Sequence, residues 1–317
     1  MIRGGAERPV GFEALVLCSP WRIPETPAQA ARLKDVDIHP LSDAADLILQ
    51  KESPNLRRQL RWGSFGLGRV MEDMDVRGHT WRQTIVTAHA TAIDADYYQL
   101  SNQDIDIQIA VATLHDIAEG RLGDTIYDKK QKDKRVQELA EAAEAMKIID
   151  SVEDVGPELK ERLKEAYLRV ATSLEEEDVS RFLKAPVFLV GEVDWSRLRE
   201  LFGLYERYGY LMTAYWEMLP IFWGTTHFSK DDFAAVGEWS REDLERADAE
   251  GFIIPDEFRR MGLNKNVLVN QWRYIPKAAE EGVPSARGLF DNPLTKDFVT
   301  QANQLLGLNL DLSFFSF

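Results

Sequence analysis

Three places along the chain carry residue types and spacings that can do chemistry. His79 opens a helix in Arg77-Gly78-His79-Thr80-Trp81, His115-Asp116 falls near the end of another and is followed by Glu119 and Asp124, and Asp194 heads a long third helix. Imidazole nitrogens and carboxylate oxygens are ligands for one divalent ion such as Mn, Co, Fe, Mg or Zn, and ligands from three helices can converge inside a bundle. Neighbours on a helix point about 100° apart, so His115 and Asp116 share an ion only if it lies between their two directions, beside the helix. His89 follows His79 by ten positions and points about 80° away from it, so it cannot stand in on the same face. His89, His39 and His227 read as structural.

The stretch Arg77-Gly78-His79-Thr80-Trp81-Arg82, with the later His115-Asp116-Ile117-Ala118-Glu119-Gly120-Arg121-Leu122-Gly123-Asp124, resembles the HD-domain phosphohydrolases. Within that superfamily it is most similar to the bacterial 5′-deoxynucleotidases, whose members carry a His-Asp, a Glu three residues on and a Gly-Asp after that. Arg61-Trp62 matches an Arg-Trp pair that precedes the first histidine ligand in the family, and Lys129 and Lys130 fall where a phosphate-facing lysine follows the Gly-Asp. The resemblance covers about residues 55 to 215 and implies that His79, His115, Asp116 and a late Asp bind the metal; Asp194 is the candidate for that last position, with Glu192, Asp150 and Asp178 as competitors. Gly78 stands where the family commonly has Glu, and charged sequence around Glu175 to Asp178 lengthens the approach to Asp194.

Such a metal acts as a Lewis acid toward a phosphate oxygen and acidifies a water, while the protein supplies a positive clamp and a proton donor. Arg61 is the candidate clamp, Lys130 a second charge, and Trp62 a face for base or sugar. Glu119, one turn from the His-Asp pair, is placed to hydrogen-bond the attacking water or to orient a ligand, and Asp124 to meet a sugar hydroxyl or the leaving-group proton. The expected activity is hydrolysis of (deoxy)nucleoside 5′-monophosphates. Triphosphohydrolysis of deoxynucleoside triphosphates is the alternative reaction for a similar site. A regulatory or scaffold protein acting through its C-terminal third is the alternative from another class.

The elements that must position these residues are helical. Ala44, Ala45, Leu47, Ile48 and Leu49 form an apolar cluster, and Ser53-Pro54 is read as restarting the chain. Thr80 to Tyr98 reads as a helix. The next starts at Ser101 or Asn102, buries Ile107, Val111, Leu114 and Ile117, and is expected to end at Gly120. Long helical patterns recur at Lys134 to Ile149, Glu158 to Leu174 and Trp195 to Met218. Ser229 with Asp232 and Ser240 with Asp243 look like capping boxes, with Gly251 closing the second helix. Strand-like alternation is sparse, with one short candidate at Phe12 to Leu17. The predicted fold is all-α: an irregular arm over 1–40, an HD helical bundle over 41–219, and a mostly helical C-terminal region over 220–317 packed on that core.

The 317 residues include 53 acidic and 38 basic side chains, a formal net charge of -15, which argues against duplex nucleic acid as a partner. A small nucleotide held by a few local cations remains compatible with that balance. The 44% of hydrophobic residues supplies a core. The single Cys18 rules out an intramolecular disulfide and a Cys-based zinc site and suits a reducing compartment. Neither the short apolar run Ala14 to Cys18 nor Tyr208 to Trp223, broken by Glu217 and Pro220, has the length of a signal core or a membrane span. A soluble cytoplasmic protein with no membrane partner is expected. The apolar tail Leu312 to Phe317 is expected to dock on a second subunit in a homo-oligomer, most simply a dimer, with packing on its own domain as the alternative.

Overall fold

The computed structural model describes residues 40–59, 76–123, 133–183, 186–187, 192–223, 229–240 and 256–313, with the separate positions 243, 246–247, 250 and 315. Among the described residues the chain is all-α. The helices are α1 (Pro40–Leu56), α2 (Val76–Tyr98), α3 (Asn102–Leu114), α4 (Glu119–Leu122), α5 (Lys134–Ser151) and α6 (Pro157–Ala166). They continue with α7 (Glu176–Phe182), α8 (Trp195–Trp223), α9 (Lys230–Glu238), α10 (Asp256–Trp272), α11 (Ile275–Glu280), α12 (Pro284–Phe290) and α13 (Pro293–Leu306). A π-helical turn, Tyr167–Ala171, extends α6. The strand candidate at Phe12 to Leu17 and Gly251 lie outside the described residues.

Local chemistry explains several helix starts. The Ser101 hydroxyl accepts from the Asp104 N–H while the Asp104 carboxylate accepts from the Ser101 N–H, which satisfies two donors that a helix end leaves open. The same reciprocal pair forms at Ser229 with Asp232 and at Ser240 with Asp243. α6, α11, α12 and α13 each begin with a proline in the first turn, where its missing N–H costs nothing.

Two expectations need correction. α3 ends at Leu114 rather than Gly120: residues 115–118 form turns and the short α4 follows. The glycine with left-handed backbone is Gly123, at φ +85°, and its N–H bonds to the Glu119 carbonyl. Gly120 serves close packing instead, because a Cβ there would lie 3.1 Å from Leu56 Cδ2. α1 runs through Pro54 to Leu56 without restarting; the Ser53 hydroxyl takes up the Leu49 carbonyl in this last stretch. The acidic run at Glu175 to Asp178 is built into a helix start. It caps and starts α7, and buried Asp178 is held by Arg135 at 2.8 Å and by Arg181 at 3.0 Å.

Two buried apolar clusters organise the packing. The first joins α1, α3, α5, α6 and the beginning of α8 through residues such as Leu41, Ile48, Ile107, Leu114, Ile149 and Leu168. The second joins the rest of α8 to α9 through α13, with Val86 and Ala90 of α2 inside it. Each fully buried Leu or Ile contributes on the order of 2 kcal/mol. α8 belongs to both clusters, and α2 packs on both α3 and α8. Phe315 of the tail is buried against Trp272 and Phe290, with ring centroids 6.0 and 5.1 Å away. At that residue the tail packs on its own chain, which is the alternative to docking on a second subunit. Among the described residues no helix is long and apolar enough to cross a membrane.

Candidate metal centre

α2, α3 and α8 are stitched together by side chains that reach across to neighbouring elements. Gln83 Nε2 donates to the Tyr205 carbonyl at 2.9 Å, Gln108 Nε2 to the Leu198 carbonyl at 2.6 Å, and Thr84 Oγ1 to Thr113 Oγ1 at 3.3 Å. Gly209 is what lets Gln83 come so close: a Cβ there would lie 1.7 Å from Gln83 Oε1. These cross-links fix the first turns of α2 against the end of α3.

At that junction His79, His115 and Asp116 meet. One candidate ligand atom from each lies within 4.8 Å of the others, the one such group of three among the described residues. Asp116 Oδ2 is 3.1 Å from His115 Nε2 and 3.6 Å from His79 Nε2, and the two imidazole rings stand 5.5 Å apart at 64°. All three side chains are largely withdrawn from solvent, with 2% of His79, 5% of His115 and 14% of Asp116 exposed. Adjacent residues can share one focus here because α3 has ended. His115 is its C-terminal cap and Asp116 lies in the turn beyond, so the pair surrounds a point beside the helix end.

The orientation of His115 fits a metal. Its Nδ1 lies 2.8 Å from the Ala112 carbonyl, so that nitrogen carries the proton and the lone pair sits on Nε2, facing the cluster. Nε2 makes no hydrogen bond of acceptable geometry, although Asp116 Oδ2 is close. Lone pair and carboxylate therefore point at one another, an arrangement that a cation stabilises. Burial pushes the His115 imidazole pKa down, but the nearby Asp116 carboxylate, the charge of Glu206 and the Ala112 carbonyl outweigh it, and the net direction is upward. Tyr167, delivered by the π-helical turn, donates from its hydroxyl to the His115 carbonyl at 3.4 Å and braces the backbone of the pair. π turns of this kind often reposition side chains at functional sites.

The remaining expected site residues divide cleanly. Glu119 is buried at the start of α4, one turn past the pair, with its N–H on the Asp116 carbonyl at 3.0 Å. Asp194 is not brought to the cluster. Its half-exposed carboxylate accepts from the Arg197 N–H and pairs with the Arg197 guanidinium, both at 3.1 Å, as expected of a residue at the start of α8. Arg61, Trp62, Asp124, Lys129 and Lys130 lie outside the described residues. Arg135, from the same basic run, is engaged by Asp178. His89 is absent from the cluster, and burial lowers its pKa. Sequence reasoning missed Phe202, Tyr210 and Tyr167, whose rings or hydroxyl touch the two histidines. The first two were legible as a four-residue spacing with Glu206 between them.

No curated protein and no solved structure matches this chain. Residues 55–187 match the family model described as 5′-deoxynucleotidase YfbR-like, an HD-domain family. The match is shorter than the resemblance read from the sequence and stops before Asp194. It contains His79, His115, Asp116 and Glu119, and over that segment the chain is similar to the YfbR-like HD-domain family.

Proposed function

We propose that the chain is a metal-dependent nucleotide phosphohydrolase that cleaves the phosphomonoester of (deoxy)nucleoside 5′-monophosphates. The observation that carries the reading is the convergence of His79, His115 and Asp116 on one buried point. The family's description as a 5′-deoxynucleotidase supports the substrate class. A divalent ion bound there supplies Lewis acidity toward a phosphate oxygen and acidifies a water.

The protein's own residues do the rest. The hydrogen bond from Nδ1 to Ala112 holds His115 in one tautomer. Glu119, buried beside the pair, handles the proton of the attacking water. Arg61 and Lys130 clamp the phosphate, Trp62 packs on base or sugar, and Asp124 meets the sugar or the leaving oxygen. Asp194 is not part of this proposal. The reading includes a cytoplasmic homo-oligomer, most simply a dimer; light scattering that finds a monomer at micromolar concentration removes that part.

The test is a panel of nucleoside mono-, di- and triphosphates with Mn, Co or Mg, in which phosphate, pyrophosphate and triphosphate are measured separately. Phosphate release from deoxynucleoside monophosphates, lost in Asp116→Ala, supports the proposal. Triphosphate release moves the chain to the alternative reaction, and full activity of Asp116→Ala overturns the site.

A further inference from the structure

α8 crosses the metal centre with three residues on one face. Phe202, Glu206 and Tyr210 follow one another at four-residue steps, each about 40° round from the last. Phe202 stands edge-on to His115, and Tyr210 stacks on His79, both with ring centroids 6.0 Å apart. Glu206 therefore sits between the two side chains that touch the two imidazoles. Its carboxylate accepts a hydrogen bond from the Tyr210 hydroxyl at 3.4 Å. That is long beside the roughly 2.8 Å usual for such bonds, so the contact does little to hold the side chain in its present rotamer.

We propose that Glu206 completes the ligand set of His79, His115 and Asp116, its carboxylate turning from Tyr210 onto the divalent ion. The proposal rests on the metal-centre reading above and deepens it. Two neutral imidazoles and one carboxylate leave a dication with a net positive charge in a largely buried place, which is costly; a second carboxylate neutralises it. Asp194 cannot serve from its position. It precedes Glu206 by twelve residues, about 18 Å along the axis of α8.

The experiment is titration of the metal-free full chain with Co²⁺, followed by calorimetry and by the visible absorption of the bound ion, for wild type, Glu206→Gln, Glu206→Asp, Asp194→Asn and Asp116→Asn. Circular dichroism checks that each variant is folded. Glu206→Gln is expected to weaken Co²⁺ binding by about 10- to 100-fold or more and to shift its absorption bands, with partial return in Glu206→Asp. Asp194→Asn should match wild type. Unchanged affinity in Glu206→Gln beside lost affinity in Asp116→Asn overturns the role of Glu206 alone. Weakened affinity with an unshifted spectrum also overturns it, because that is the mark of a remote charge. If wild type itself holds no Co²⁺, both this proposal and the metal-centre reading fall.

Discussion

Helix α2 carries two buried polar clusters that are built on opposite principles. Near its start, His79 joins His115 and Asp116. Near its end, Asp94 accepts from the Ser285 N–H at 2.7 Å, from the Ser285 hydroxyl at 2.5 Å and from the Tyr205 hydroxyl at 3.1 Å. Tyr208 and Ser285 hydroxyls then meet at 3.0 Å. In the Asp94 cluster donors face acceptors, so the protein itself satisfies the carboxylate. In the His79 cluster a carboxylate and two imidazole nitrogens converge, a donor set that suits a cation. Buried polar groups matched in the first way hold helices together, here α2 to α8 and α12; those of the second kind are suited to a metal.

The largest expected effect comes from exchanging one residue in each cluster. Asp116→Ala should lower turnover by about three orders of magnitude, since a bound divalent ion contributes several kcal/mol of transition-state stabilisation. The metal-free stability of that variant should stay within about 1 kcal/mol of wild type. Asp94→Ala should do the reverse, costing about 2 to 4 kcal/mol in denaturant unfolding because the Ser285 and Tyr205 donors lose their acceptor, with metal affinity retained. Equal damage by both substitutions to both quantities would erase the distinction.

A second effect separates the clusters by pH. Burial pushes the Asp94 pKa up to about 6 from 3.8, against the pull of its Ser285 and Tyr205 hydrogen bonds. A carboxyl whose folded pKa is raised contributes stability that is fully present below pH 3.8 and is lost as pH rises through about 6. About two pH units correspond to roughly 3 kcal/mol. The stability difference between wild type and Asp94→Asn should therefore move against wild type by about that amount as pH rises from about 4 to 7, whatever the other carboxylates do.

At the metal centre the sign concerns binding. His115 holds its proton to higher pH than an ordinary histidine, and the ion must displace that proton. Metal affinity should fall about tenfold per unit as pH drops below the His115 pKa, and calorimetry in buffers of different ionisation enthalpy should register the released proton. The smallest expected effect is that of Tyr167→Phe, which removes a long hydrogen bond to the His115 carbonyl. Stability should fall by about 0.5 to 1 kcal/mol, with a modest loss of metal affinity.

What was legible in the sequence was what neighbours in the chain decide. Ser101 with Asp104, and Ser229 with Asp232, announce their helices because each pair closes its hydrogen bonds within one turn. The apolar spacing that ends at Leu114 and the His115-Asp116 step are equally local, and they placed two metal-binding residue types at one helix end. Gly120 misled because the glycine that helix ends favour and the glycine that close packing requires look alike in sequence; only the position of Leu56 tells them apart.

The tertiary structure decided what distant parts of the chain do to one another. Asp178 in an acidic run became a buried partner of Arg135, and Asp94 found Ser285 near the other end of the chain, because helix packing set their neighbours. It also decided which stretch of α8 lies against the histidines, that of Phe202 and Tyr210. A helix rises about 1.5 Å per residue, so Asp194 at the start of α8 and Glu206 farther along it, equivalent by residue type, stand about 18 Å apart. The sequence by itself determined that the chain folds as helices and carries residue types suited to a metal at His79, His115 and Asp116. How α8 lies across those residues, a matter of packing rather than of local preference, decided which of its side chains lie against them.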